Sequence, residues 1–329
     1  MDMTAKIGSA LIAVVLGVLG AIALFWILNK LVELLPTKWE ERLKPYAFLL
    51  PALAVITMFL LYPTVTTVIA SVFNKDGTQF VGVDNYAALF TNSRFISSLI
   101  NNVLWILIVP AMVVIFGTLV AVLADRMRPG GEKVAKSLIF LPMAISMVGA
   151  ATIWRLVYAY VPAGEDQTGL LNAIVQAFGG DALNWLGVRD FRFNSVLLMI
   201  VYIWTQVGFA MVLISAAIKG VPEDTIEAGR IDGASEASIF FRIIMPQAWP
   251  TVITVFITVL IGVMKVFDIV YAMTNGNYDT DVIGNVFFNT MFFSRDNGMA
   301  SAIVVVLLVA VIPIMVYQVR QFREQEANQ

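Results

Sequence analysis

The sequence contains neither cysteine nor histidine. Without cysteine there is no disulfide, no thiolate nucleophile and no Cys-ligated metal. Without histidine there is no imidazole base and no His-ligated metal, and no cluster of acids suggests a carboxylate metal site instead. Charge is scarce too: Asp, Glu, Lys and Arg make up 13% of the 329 residues, against about 25% in soluble domains. The net charge of -2 gives no electrostatic basis for binding nucleic acid. The pattern G-x-x-x-x-G-K-[ST] occurs nowhere, so the chain has no recognisable ATP-hydrolysing site of its own. What it has is apolar surface. Hydrophobic residues reach 59%, more than a water-soluble fold can hide, and lipid is the expected solvent.

A membrane helix needs about 20 mostly apolar residues. Seven stretches qualify: Gly8–Leu28, Tyr46–Phe73, Asn102–Ala124, Leu138–Tyr160, Ser195–Ile218, Thr251–Thr274 and Met299–Val319. The runs are continuous and do not alternate with period two, which disfavours a barrel. With the N-terminus outside, thirteen of the 21 Lys and Arg residues fall in inner loops and six in outer segments; Arg155 and Lys265 lie inside spans. The opposite orientation reverses that ratio, so the positive-inside rule puts the N-terminus outside and the C-terminus in the cytoplasm. The expected fold is an all-α membrane protein of about seven transmembrane helices. The first span is longer than a signal-peptide core and its basic residues follow it, so it reads as an uncleaved anchor. The charged stretch Pro36–Arg42 reads as an interfacial helix or linker. It divides an accessory segment, residues 1–45, from a six-helix core, residues 46–329. Of the outer loops, Val161–Asn194 predicts a short surface helix over Leu170–Phe178 with Leu171, Ile174, Val175 and Phe178 on one face.

The most patterned polar segment is the inner loop at 220–250. Pro222 suits the first position of a helix, and Glu223 and Asp224 follow where acids favour the positive end of the dipole. That helix is expected to run to Ile231. Asp232-Gly233 reads as a turn. Ser235 or Asp232 can cap a second helix carrying Ala237, Phe240, Phe241 and Ile244 as an apolar stripe, and Pro246 and Pro250 are expected to stop it. The apex holds the small residues Ala228, Gly229, Gly233 and Ala234, which would let a partner approach the backbone. Five acids (Glu223, Asp224, Glu227, Asp232, Glu236) stand against Arg230 and Arg242. Such a knob suits a socket on a soluble protein; an ordinary interfacial hairpin is the plain alternative.

Glu227-Ala228-Gly229-Arg230-Ile231-Asp232-Gly233-Ala234, followed by Phe240, Phe241, Ile243 and Met245-Pro246, resembles the EAA motif of ABC importer permeases. Gly229 replaces the third alanine of that motif and Met245 the leucine before the proline; both keep size or apolar character. Tyr46–Ala52, Val81–Tyr86, Phe140-Leu141-Pro142 and Phe267–Tyr271 are similar to segments of sugar permeases, akin to the larger permease of the maltose importer. The resemblance covers residues 46–329, and an extra N-terminal helix fits that branch. It implies a six-helix type I importer core in a bacterial or archaeal inner membrane. It implies a second permease subunit, a dimer of ATPase subunits and an external solute-binding protein as partners. ATP and magnesium would belong to the ATPase, with no cofactor bound by this chain. It also implies that Glu227, Ala228, Gly229, Asp232, Gly233, Ala234 and Pro246 form the coupling element gripped by the ATPase. The substrate implied is a carbohydrate, such as a disaccharide or α-glucoside; glycerol phosphate permeases share much of the pattern.

Polar groups inside spans face cavities or partner helices. Arg155, Gln206, Lys265 and Asp268 qualify. Lys265 and Asp268, three apart, would share one helical face and could pair. Sugars want aromatic platforms with amide or carboxylate partners, which Tyr202, Trp204 and Gln206 supply in the fifth span and Asp268, Tyr271 and Asn275 in and after the sixth. Trp154, Tyr158 and Tyr160 read instead as membrane-interface residues. Pro110, Pro142 and Pro313 are expected to kink or break helices, and Gly117, Gly208 and Gly262 to permit close helix packing. The alternative function is an ATP-independent secondary transporter or channel, for which inverted repeats are the usual mark; the halves show no convincing repeat. An intramembrane enzyme lacks its chemistry here.

Overall fold

A computed structural model describes residues 3–162 and 167–327. Residues 163–166, part of the expected outer loop, lie outside them. The described residues are helical, with one isolated bridge between Phe73 and Phe80. In chain order the helices are α1 (Met3–Glu33), α2 (Thr37–Ala70), α3 (Asp84–Thr91), α4 (Ser93–Asp125), α5 (Pro129–Phe140), α6 (Met147–Val157) and α7 (Leu170–Ala177). They continue with α8 (Phe193–Lys219), α9 (Glu223–Ile231), α10 (Glu236–Met264), α11 (Asp268–Met273), α12 (Ile283–Phe293) and α13 (Asn297–Ala327). Among the described residues six helices are long and apolar enough to cross a membrane, and the bent pair α5–α6 makes up to seven if it is counted as one span.

The chain forms two units, Met1–Ile69 and Ala70–Gln329. In the first, α1 and α2 pack together, with Phe25 and Phe48 stacked at 5.9 Å. The charged stretch after Pro36 forms the first turns of α2.

In the second unit α8 is the hub, packed on α4, α5 and α10. Lipid gives helices no hydrophobic reason to associate, so close backbone approach has to supply the contact energy. The three glycines expected at such approaches are all found there. A Cβ on Gly117 would lie 2.5 Å from Ala210 Cβ, one on Gly208 would lie 2.7 Å from Phe140 Cα, and one on Gly262 would strike the Tyr202 hydroxyl. Trp105, Leu198, Met199 and Met211 are fully buried around this hub.

Several sequence expectations change here. The fourth span, expected as one helix over Leu138–Tyr160, is broken: α5 and α6 meet at 104° across a tight turn at Leu141–Ala144. Pro142 sits in that turn, and Ser146 caps α6 by accepting the Gly149 amide at 3.1 Å. Pro110 and Pro313, by contrast, lie inside continuous helices. Pro246 and Pro250 do not stop the helix they follow, since Glu236–Met264 is unbroken. A proline cannot donate to the carbonyl four residues back and its ring crowds that carbonyl. The chain answers by widening one turn just upstream: Met245 donates to Phe240, five residues back. The same π-turn precedes Pro63, where Tyr62 donates to Thr57. The sixth span, finally, ends at Met264. Lys265 and Asp268 are therefore separated by a helix break and do not share a face.

The surface helix is found at Leu170–Ala177, but its anchoring residue is polar. Asn172, fully buried, accepts from Leu183 N and Trp185 Nε1 and donates to the carbonyls of Ala159 and Leu183. Of the expected apolar face, Ile174 and Phe178 are exposed. Tyr158, read as interfacial, is buried with its hydroxyl on the Leu197 carbonyl.

Candidate functional site

The polar hairpin between the fifth and sixth spans folds as its residues dictate. Pro222 precedes α9, and Glu223 and Asp224 occupy its first turn. At its end Gly233 takes φ +78°. The Gly233 amide donates to Arg230 and the Ala234 amide to Gly229, both at 3.0 Å. This is a Schellman closure, which needs a residue free to adopt left-handed backbone. Ser235 then caps α10 by accepting the Ser238 amide at 3.3 Å. Arg230 and Glu236 bridge the turn at 2.9 Å, and that carboxylate raises the guanidinium's pKa further.

Gly229 is small for an internal reason. It is buried, and a Cβ there would lie 2.7 Å from Ile243 Cδ1. The inward face of the second helix is therefore Ile239 with Ile243; Ala237 and Phe241, expected in the apolar stripe, are exposed. Glu227, Ala228, Asp232, Gly233 and Pro246 are exposed and Ala234 half-buried. Sequence reasoning missed Ile231, an apolar side chain 85% exposed at the tip. Its signal was an isoleucine at the last turn of a helix otherwise carrying acids. The hairpin is thus a rigid acidic knob with an apolar point, continuous through the π-turn with a membrane-crossing helix.

The in-span candidates divide into separate places. Tyr202 and Asp268 come together, lining a pocket of ≈ 140 Å³ at the break after α10 with Met147, Gly262, Lys265 and Phe267. Gln206 lies half-buried one turn along α8 from Tyr202. Trp204 faces elsewhere, in an apolar cavity of ≈ 480 Å³, with its ring edge-on to Trp154 at 5.8 Å. Tyr271 stacks on Phe267 at 5.1 Å and meets Phe288. Asn275 holds φ +50° and accepts from Asn289 at 3.5 Å. Arg155 reaches the Ala272 carbonyl at 3.4 Å, tying α6 to α11.

A polar network that sequence reasoning passed over holds the loop after α11. Tyr278 and Asp279 both have positive φ, a strained state for non-glycine residues. Asn101 Nδ2 donates to the Asp279 and Asp281 carbonyls at 2.7 Å, and Asn101 Oδ1 accepts from Arg192 at 2.6 Å. Asn194 holds the Tyr278 carbonyl and Arg94 pairs with the buried Asp281 at 2.5 Å. Of this network Arg94, Tyr278, Asp279 and Asp281 line a polar cleft of ≈ 410 Å³. The signal was Asn101-Asn102 inside an apolar run.

A helical core with a broken fourth span and a capped hairpin ahead of the sixth is the fold of a type I ABC importer permease. The crystal structure of a bacterial ABC transporter involved in import of the acidic polysaccharide alginate matches it with a TM-score of 0.73 at 21% identity, covering 86% of this chain and 98% of that one. Residues 86–324 match the family described as the binding-protein-dependent transport system inner membrane component, and the chain belongs to that family. It is 44% identical over 326 residues to the alpha-glucoside transport system permease protein AglF of Rhizobium meliloti, covering 95% of this chain and 96% of the relative. It is 45% identical over 279 residues to the osmoprotective compounds uptake permease protein GgtC of Synechocystis, covering 85% and 99%. This is an inner-membrane transport permease.

Proposed function

We propose that the chain forms half of the translocation path of an ATP-driven, binding-protein-dependent importer in a bacterial or archaeal inner membrane. Its substrate is a disaccharide or oligosaccharide, such as an α-glucoside. The observation that carries the reading is the hairpin: a capped, acidic, exposed helix pair fused without a joint to a membrane-crossing helix. With the N-terminus outside, the hairpin lies in the cytoplasm. There Glu227, Ala228, Asp232, Gly233 and Ala234 enter a cleft of an ATPase subunit, while Gly229 and Pro246 keep the hairpin's shape. ATP and magnesium act in that ATPase. Closure of the ATPase pair displaces the hairpin, and the displacement switches the path between outward- and inward-facing states. A second permease subunit supplies the other wall, and an external binding protein delivers the sugar. Tyr202 and Asp268, with Gln206, Tyr271 and Asn275 nearby, offer ring faces and hydrogen-bonding groups to the passing sugar; Trp204 supports α8 from its other side.

The test is uptake of a labelled α-linked disaccharide into proteoliposomes holding both permeases, the ATPase and the binding protein. Uptake is expected to need ATP and the binding protein and to stop with vanadate. Uptake by this chain alone without ATP would instead establish a secondary transporter or channel. The likeness to an osmoprotectant permease motivates a second arm, in which unlabelled osmoprotective solutes compete with the sugar.

A further inference from the structure

Lys136 of α5 gathers charges from three helices. Its Nζ lies 2.6 Å from Asp125 Oδ1 at the end of α4 and 2.7 Å from Glu132 Oε1, and it meets Ser215 Oγ of α8. Ser215 Oγ also donates to Asp125 at 2.8 Å. Lys219, the last residue of α8, pairs with Glu132 and lies 3.5 Å from Asp125. The Lys136, Glu132 and Asp125 side chains are each no more than 20% exposed. A half-buried network of this kind fixes geometry more than it adds stability, because any one charge removed leaves the others uncompensated. Only Gly220, Val221 and Pro222 separate Lys219 from α9, so the cluster sits at the root of the hairpin.

The far end of α5 is fixed as well. Its Ile139–Phe140 backbone presses on Gly208. Past the tight turn, Met147 accepts the Thr205 hydroxyl at 3.8 Å and lines the pocket of Tyr202 and Asp268. Over its 12 residues α5 spans about 18 Å: Glu132 in its first turn meets Lys219 at the hairpin root, Lys136 one turn on ties it to Asp125 and Ser215, and Phe140 at its end lies beside Gly208.

We propose that Lys136 is a positioning residue for transport: it holds α5 to the hairpin root, so that α5 carries the hairpin's displacement to the pocket at Met147 and Tyr202. This rests on the coupling role of the hairpin. The cluster's residues come from positions 125, 132, 136, 215 and 219, all outside the hairpin itself, so the role is distinct from contact with the ATPase.

The experiment uses the complete transporter in proteoliposomes, with the parent chain compared with Lys136→Met, Lys136→Arg and Lys219→Met. The readouts are sugar taken up per ATP hydrolysed and copurification of the ATPase. Lys136→Met is expected to lower uptake per ATP about fivefold or more with the ATPase still bound, Lys136→Arg to restore it, and Lys219→Met to shift it in the same direction. An unchanged ratio in Lys136→Met, or hydrolysis and uptake falling in strict proportion, overturns the proposal. Should Lys136→Met fail to assemble, Lys219→Met decides, since Lys219 is half-exposed at a helix end. Ala228→Cys, which gives the chain a single cysteine, separates the two readings. No crosslink to the ATPase in the parent defeats the coupling role itself. A crosslink together with an unchanged ratio in Lys136→Met, or in Lys219→Met where that variant decides, defeats only the role of Lys136.

Discussion

The phenol oxygen of Tyr202 rests against the bare Cα of Gly262, in the space a side chain there would occupy. Tyr202 is otherwise buried, edge-on to Trp105 at 5.9 Å. Any larger residue at 262 must displace the Tyr202 ring, which lines one pocket with Asp268.

Gly262→Leu is therefore expected to abolish most uptake while the chain still inserts. Overpacking of this kind costs about 1–3 kcal/mol. Tyr202→Phe keeps the ring and loses only the hydroxyl, so it should raise the KM for uptake severalfold with little change in chain abundance. Equal KM values for parent and Tyr202→Phe would remove the hydroxyl from the path.

Gly233→Val forces a β-branched residue to φ +78°, where left-handed backbone costs an L-residue about 1–2 kcal/mol. The turn that orients the knob should open. Immunoblots are expected to show normal membrane levels, while sugar uptake falls at least tenfold. Normal uptake would show that the turn's shape is immaterial to transport.

Glu227→Lys reverses one charge on the exposed face of α9 without touching the packing of Gly229 on Ile243. ATPase copurification or uptake per ATP should fall, and low salt should deepen the defect because the interaction is between surface charges. A parallel Ile231→Ser tests the apolar tip, with weaker ATPase association as the expected result.

Asn101→Leu deprives the Asp279 and Asp281 carbonyls and Arg192 of their amide partner. Each group left unpaired in a buried setting costs about 1–3 kcal/mol. The expected outcome is a lower Tm in detergent and faster proteolysis at the loop carrying Tyr278, measured on the purified complex.

Where a single helix crosses without interruption, composition was enough to find it, as for Ser195–Ile218 within α8. The hairpin's first helix ended where expected, at residue 231, with the turn at Gly233, and of the two caps offered for the second helix Ser235 is the one used, because caps and left-handed turns depend on local chemistry. At the fourth span Pro142 marked a kink or break but not its angle: an apolar run looks the same whether its helix is straight or folded back, and a proline alone does not distinguish a kink from a corner. The expected pairing of Lys265 with Asp268 failed for a related reason, since spacing implies a shared face only while the helix lasts. Lys136 was visible merely as one of the basic inner-loop residues, and Asp125 drew no reading. Their meeting depends on how three helix ends converge, which no local window contains.

The corner between α5 and α6 has one more implication. Two short helices meeting at 104° leave backbone groups outside the helical ladder, of which the Ile145 amide turns to the Pro142 carbonyl and the Gly149 amide to the Ser146 hydroxyl. Hydrocarbon tolerates such groups only behind other protein or beside water. In the importer proposed above, the second permease subunit is what covers that corner, so a newly made copy is expected to stay unfinished in the bilayer until this companion arrives. Its lifetime in the cell is expected to track the supply of that companion, with surplus copies cleared by membrane quality control.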